Sequence, residues 1–411
     1  MVANELAVVW WEYAAGLYRP WPSPNCEGRD THLLRATQRA RLSKLLAPNG
    51  GHGLRFLGSC AFHQHALDLK RISRLLNPSL RFHLVSDEPL VNGNAYYAAA
   101  LRQMNVSVHF RRALRTRHRK GNTPSRATRY EELHRNETLH PPQRHQAELL
   151  SRFCEIADLA ADEGLKRVLI LDADAGLFAD ARRAFRPFLD VDVVAPCSTC
   201  SQDTLWSVRA LDRFCDGLVG FWHQSPAVIN RLFRKFGVSN KFNDMDYLSM
   251  FVASREFDDT LAPPAAAVEI ASRAAAAPPL SHRLLAIGKP SSHNPSPLAW
   301  LPGITLDRLA LKEDPSGASS NTRCQRALDR ISFSTKSTRK VPLATLREDG
   351  AAVPIIHFQG VCKEEVVHAQ VYEKVYASTF AQSHWALTPH ELRHHQSWWN
   401  ALLPRYYDWR R

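Results

Sequence analysis

The stretch "RVLILDADAGLF", residues 167–178, decides how this chain is read. Val168 to Leu171 form an apolar run without polar alternation, which predicts a strand buried on both faces, as in a parallel sheet. The run ends in Asp172 and Asp174, two carboxylates one residue apart at the strand's carboxyl end, where open α/β sheets bind ligands. Acids this close repel and raise each other's pKa, so both stay ionised at neutral pH only beside a cation. A hard divalent ion with oxygen ligands, Mn2+ or Mg2+, meets that need and also bridges phosphate oxygens. D-x-D also arises by chance as a helix cap or a turn with solvated acids, so other residues must decide.

Upstream, "PPQRHQAELLSRFCEIADLAADEG" repeats apolar residues at Leu149, Leu150, Phe153, Ile156, Ala157 and Ala160 and closes at Gly164. That is a helix with a glycine stop, delivering the chain into the acidic strand. Further upstream, "LRFLGSCAF" reads as a buried strand, "HQHALDLKRISRLLN" as an amphipathic helix and "LRFHLVSDE" as a second strand, together a parallel βαβ unit. Downstream, "VDVVAP" and "FCDGLVGFW" read as strands and "SPAVINRLFRKFG" as a helix, and "NDMDYLSMFVA" starts a helix capped by Asn243 or Asp244. Residues 255–350 are biased to Ala, Pro and Ser, the composition of a long loop or lid. Order returns with "VPIIHFQGVCKEE", a short strand ending in His357 before a Gly turn. The expected fold class is α/β, a mixed, mainly parallel sheet flanked by helices, in one large domain with insertions. Residues 1–50 form an N-terminal extension, 51–254 the core, 255–350 the insertion or lid, and 351–411 the segment that closes the site.

At 411 residues the chain can bury a sizeable core. Lys and Arg number 53 against 40 Asp and Glu, a net charge of +13 that favours anionic partners. Much of the excess lies in Arg111 to Arg129, where no aromatics interleave and Gly121, Asn122 and Pro124 break a helix. A solvated loop is expected there, and nucleic acid is not a partner, since strand-tracking surfaces add stacking platforms. No run is long and apolar enough to span a membrane. "LAVVWWEYAAGLY" is interrupted by Glu12 and lacks a basic start, so it is a poor signal peptide. The eight cysteines are thinly scattered, and only Cys197 and Cys200 form a C-x-x-C pair, which lacks the second half of a zinc site and reads as ordinary loop cysteines. Sequons at Asn105 and Asn136 permit glycosylation in a secretory setting. The compartment stays open between cytoplasm and a Golgi or secretory lumen.

In their order along the chain, these segments resemble the metal-dependent nucleotide-sugar glycosyltransferases of GT-A fold, in particular the family-8 group that includes glycogenin and the bacterial lipopolysaccharide galactosyltransferases. "RFHLVSDE" is similar to their second strand, "LLSRF" to their arginine-bearing helix and "RVLILDADAGLF" to their metal-binding strand. "FCDGLVGF" is similar to their sugar-binding segment, "NDMDYLSMF" to their Asp-Gln-Asp-x-Leu-Asn motif, and "HFQGVCK" fits H-x-x-G-x-x-K. The resemblance covers about residues 54–254 and 352–365. It implies that Asp172, Asp174 and His357 hold a metal, Mn2+ or Mg2+, and that Arg152 contacts the donor. Gly360 would let backbone approach a phosphate, and Lys363 would neutralise the leaving nucleoside diphosphate. Asp244 and Asp246 would stand near the sugar as catalytic carboxylates, and Asp216 and Gly217 would line its pocket.

The implied reaction moves a sugar from a nucleoside-diphosphate donor, a UDP-sugar, to a hydroxyl of a glycan, protein or small-molecule acceptor, with retention. Departures are visible: "GSCAFHQHA" lacks the acid usual in the first-strand region, the usual Asn-Ser is Cys215-Asp216, and Glu364-Glu365 replaces Pro-Trp. Two other readings stand beside it. One is a non-catalytic glycan- or nucleotide-binding protein on the same fold. The other is a phosphohydrolase of haloacid-dehalogenase type, whose D-x-D-G-T-L register fails at Ala175 and Gly176.

Overall fold

A computed structural model describes residues 6–12, 60–92, 95–116, 118–119, 123–136, 144–190, 192–195, 203–236, 244–253, 282–284, 304–305, 328–334, 344–347, 350 and 352–358. The chain order begins with β1 (Leu6–Trp11), α1 (Cys60–Leu76), β2 (Arg81–Ser86), α2 (Glu88–Asn92), α3 (Ala95–Gln103) and β3 (Val106–Phe110). Next come α4 (Arg111–Thr116), a small hairpin of β4 (His118–Arg119) and β5 (Thr123–Pro124), α5 (Arg126–Asn136) and α6 (Arg144–Asp162). The acidic segment follows as β6 (Arg167–Asp172) and β7 (Ala175–Leu177). After it lie α7 (Ala181–Phe185), β8 (Val193–Ala195), β9 (Thr204–Ser207), α8 (Val208–Trp222), α9 (Pro226–Phe236) and α10 (Asp244–Ala253). Short strands complete the order: β10 (His282–Leu284), β11 (Ile304–Thr305), β12 (Ile331–Phe333), β13 (Ala344–Leu346) and β14 (Ile355–His357).

Seven strands form the main sheet in the order β10-β8-β9-β6-β1-β2-β3. Its pairings are parallel except around β9, which runs antiparallel to both β6 and β8. Helices cover both faces, so strand residues are apolar on both sides. In β1, Ala7, Val9 and Trp11 enter one core cluster, while Leu6, Val8 and Trp10 enter the other. In β6, Val168 and Ile170 split from Leu169 and Leu171 in the same way. This is the mixed, mainly parallel α/β architecture that the sequence pattern predicts. No described helix is long and apolar enough to cross a membrane.

The structure corrects four expectations. The N-terminal segment is not an extension: β1 is an interior strand, pairing with β2 through Trp11–Val85 and with β6 through Trp11–Asp172. Its strand identity depends on partners far along the chain, which is why an isolated apolar hexamer gives no sign of it. The strand read at "LRFLGSCAF" is partly α1, since Cys60 to Phe62 are helical, and residues 54–59 lie outside the described residues. "FCDGLVGFW" is the second half of α8, whose buried Leu211, Phe214, Cys215, Leu218, Val219 and Trp222 keep helical spacing. Cut at Phe214, the window hid that period and the Ser207 cap that accepts from the Ala210 amide.

The basic stretch is not a solvated loop. Arg111 is 2% exposed and, with Arg115, grips Glu155 of α6 at 3.0 and 2.6 Å. Arg126 reaches Asp216 and Asp212 of α8 at 3.0 and 3.1 Å. The charges of Arg111, Arg115 and Arg126 are thus taken up by acids within the fold, 40 to 90 residues downstream, a distance that periodicity cannot read. Cys154 and Cys215 join the buried faces of α6 and α8 in a disulfide, a pairing for which the sequence gives no sign. Gly164, at φ +60°, ends the α6 turn in the left-handed region that suits glycine.

Glu155 is fully buried and accepts from Trp11 Nε1 at 2.8 Å as well as from the two arginines. Burial alone would raise its pKa, but Arg111 and Arg115 overcome that and bring it from 4.5 to about 2. A depressed carboxylate pKa stabilises the fold above the ordinary value and loses that contribution as pH falls toward the folded value. Glu155→Gln is expected to lower the unfolding free energy by on the order of 3 kcal/mol at neutral pH. The deficit should shrink between pH 4.5 and about 2 in denaturant titrations of both proteins.

Candidate metal centre

The main sheet ends β6 at Asp172, and the chain turns through Asp174 into β7, which leaves the sheet to pair elsewhere. There β7 runs antiparallel to β14, in register Ala175–His357, Gly176–Ile356 and Leu177–Ile355. The Phe358 amide donates to the Asp174 carbonyl at 3.1 Å, which fixes the register beside the second acid. The imidazole of His357 is thereby set against the acidic turn from 183 residues away in sequence. Helix α1 supports β7 from below: Ser73 Oγ accepts from the Leu177 amide at 2.8 Å, and Asn77 holds the Ala179 carbonyl and the Ala181 amide. A Cβ on Gly176 would stand 2.8 Å from Leu69 Cδ2, so the glycine is a condition of this close packing.

His357 Nε2 lies 3.3 Å from Asp174 Oδ1 and 3.7 Å from Asp172 Oδ2. One ligand atom from each of Asp172, Asp174 and His357 can be chosen so that all three lie within 4.8 Å of one another. Asp172 is the most open, with 24% of its side chain exposed against 4% for Asp174 and 1% for His357, so the cluster is reachable from one side. Two carboxylates and an imidazole are donors that a divalent ion of the manganese or zinc kind accepts. The three residues therefore fit the metal role, and the ion's identity is left to experiment.

Arg152 enters from α6 and bridges two acids, with Nη1 2.7 Å from Asp172 Oδ1 and Nη2 2.7 Å from Asp244 Oδ2. Asp244 begins α10 and is buried, while Asp246 two residues on is half-buried. The two carboxylates expected near a sugar are thus unequal: Asp244 is tied through Arg152 to the metal acid. Asp216 is held by Arg126 and Arg129, and Gly217 lies under Tyr247, whose Oη would be 2.7 Å from a Cβ there. Both sit on α8, the helix that replaces the expected strand. Gly360 and Lys363 lie outside the described residues.

Two residues escape the sequence reading. Glu12 follows β1 directly, accepting from Lys70 Nζ at 2.8 Å and Tyr97 Oη at 2.6 Å, so an acid does stand after the first strand once that strand is located. Asp203 precedes β9, is 1% exposed, and places Oδ2 2.9 Å from His357 Nδ1, at hydrogen-bonding separation but off the ideal N–H direction. Its only local signal is an acid just before a strand, which is too common to be noticed.

Burial raises the Asp172 pKa, with Asp174 and Asp203 adding to the rise and Arg152 and His357 opposing it. For His357, burial would lower the pKa, but Asp203 and Asp174 overcome it and hold it well above 6.5. Without an ion, the imidazolium thus supplies part of the missing positive charge. With all four acids ionised, Asp172, Asp174, Asp203 and Asp244 face one guanidinium and one imidazolium, which leaves a surplus of two negative charges among these groups.

Comparison with known proteins adds little detail. No family model and no curated protein matches the chain. Among solved structures, the apo form of mouse xyloside xylosyltransferase 1 is similar over 62% of this chain and 83% of its own, at 10% identity and a TM-score of 0.35.

Gly176→Ala is expected to cost about 1–3 kcal/mol through overpacking against Leu69, read from chemical denaturation. The raised imidazole pKa contributes metal-free stability that is complete below pH 6.5 and is lost as pH rises through the folded value. A divalent ion must displace that proton, so near neutral pH its binding should release about one proton per ion. Calorimetry in buffers of different ionisation enthalpy measures this directly.

Proposed function

We propose that the chain is a metal-dependent glycosyltransferase that moves a sugar from a nucleoside-diphosphate donor, a UDP-sugar, to an acceptor hydroxyl with retention of configuration. The observation that carries the reading is the convergence of Asp172, Asp174 and His357, at the carboxyl end of a strand in a mainly parallel sheet. Asp172 and Asp174 are the oxygen ligands for Mn2+ or Mg2+, and His357 is the third. When bound, the ion supplies positive charge to the departing diphosphate. Arg152 keeps Asp172 aimed by holding its outer oxygen, and couples it to Asp244, the carboxylate assigned to the sugar together with Asp246. Gly360 and Lys363 are assigned to the diphosphate on the H-x-x-G-x-x-K spacing, with Lys363 neutralising the leaving group. Asp216 and Gly217 retain only a secondary role in shaping the sugar pocket, through the α8–α10 packing. The buried Cys154–Cys215 disulfide and the exposed Asn105 of one sequon support a secretory setting, where such bonds persist.

A thermal-shift panel of UDP-glucose, UDP-galactose and UDP-xylose, each with and without Mn2+, tests the reading. One donor should raise the unfolding temperature only when metal is present, and Asp174→Asn should abolish that shift. Mn2+-dependent hydrolysis of the same donor separates an enzyme from a binder. Turnover of an aryl phosphate that is lost in Asp172→Asn, with every nucleotide sugar inert, would instead favour a phosphohydrolase.

A further inference from the structure

We propose that Asp203 is the positioning residue of the metal centre: it takes the Nδ1 side of His357 and so presents Nε2 to a divalent cation held with Asp172 and Asp174. The proposal rests on the metal-binding part of the reading above and extends it to a residue with no motif. The imidazole is divided between two sides. Nδ1 is 2.9 Å from Asp203 Oδ2, whereas Nε2 looks toward Asp174 Oδ1 at 3.3 Å and Asp172 Oδ2 at 3.7 Å. A neutral imidazole keeps one proton, and a ligating ring must keep it on the nitrogen that does not face the ion. A carboxylate beside Nδ1 selects that tautomer and fixes the ring plane, as second-layer acids do at histidine-ligated metals.

Three further observations concern Asp203 itself. It is 1% exposed, and its Oδ1 has no hydrogen-bond partner among the described residues, a costly burial unless the charge serves the imidazole. Its backbone has φ +56°, the left-handed region that L residues enter at a cost and that Asp and Asn tolerate best after glycine. A strained, buried acid fits a site where side-chain placement outweighs local stability. Its place in the sheet is also apt: β9 runs antiparallel to β6, with Thr204 opposite Ile170, so the residue before β9 emerges where β6 delivers Asp172.

The backbone geometry suggests the variants. Asp203→Gly removes the carboxylate and suits the left-handed conformation, and Asp203→Asn keeps an oxygen that can accept from Nδ1–H. Mn2+ affinity is measured by calorimetry and by the EPR signal of free Mn2+, beside the unfolding temperature in EDTA. Asp203→Gly should bind Mn2+ about 10–100-fold more weakly than the unmodified protein. Asp203→Asn should recover much of that loss, and in EDTA both should still unfold cooperatively at a temperature only modestly lowered by the lost imidazolium pairing, because His357 keeps Asp172 and Asp174 as neighbours. Unchanged affinity in Asp203→Gly would overturn the proposal. So would an equal loss in Asp203→Asn, which would assign the effect to net charge, or a collapse of both unfolding temperatures, which would make the role structural. If the unmodified protein binds neither Mn2+ nor Mg2+, the metal-centre reading itself fails and takes this proposal with it.

Discussion

The antiparallel pairing of β7 with β14 is the constraint on which the candidate site depends. It is short, three residues on each strand, yet it sets His357 opposite Ala175, one residue past the second acid. A one-residue slip would turn the imidazole to the other face of the strand. The Phe358–Asp174 and Phe178–Pro354 backbone hydrogen bonds hold the register at both ends. Beneath it, the absence of a side chain at Gly176 lets α1 approach, and Ser73 and Asn77 take up the backbone groups that a short strand leaves open.

Charge is arranged around that pairing in two layers. The outer layer lies beyond the ends of β1 to β3, where Glu155 gathers Arg111, Arg115 and Trp11, and Arg111 also faces Asp87. Those groups balance one another, and removing one strands the others in a medium that solvates charge poorly. In the inner layer at Asp172, four acids face Arg152 and His357, two more negative charges than positive among these six groups. Structural networks neutralise themselves, whereas a surplus held in place by packing is the property of a binding site. The difference between the layers, more than the count of acids, supports the metal-site reading proposed for the inner one.

Helix α6 connects the layers. Arg152 points toward the acidic turn, Glu155 toward the arginine cluster, and Cys154 between them bonds to α8. Rotation of this helix would disturb both sets of charges together, and the disulfide opposes that rotation. Asp158 on the same helix accepts from the Ala127 amide at the start of α5, which adds a fourth tie.

Much of this was legible in local pattern. The unbroken apolar run of β6, the acids at its end, the period of α1 and α6, and the short strand before His357 depend on neighbours within one or two turns of chain, so sequence alone determined them. What only the tertiary structure decided depends on partners distant in sequence. The hexamer Leu6–Trp11 became an interior strand because β2 and β6 flank it. Arg111 became buried and Arg115 and Arg126 partly buried because Glu155, Asp212 and Asp216 meet them. Asp203 came to stand beside His357 because β9 runs antiparallel to β6. Hydrophobic periodicity carries information about a residue's own element, while charge pairing and strand order are settled by which elements meet, and that information is not local.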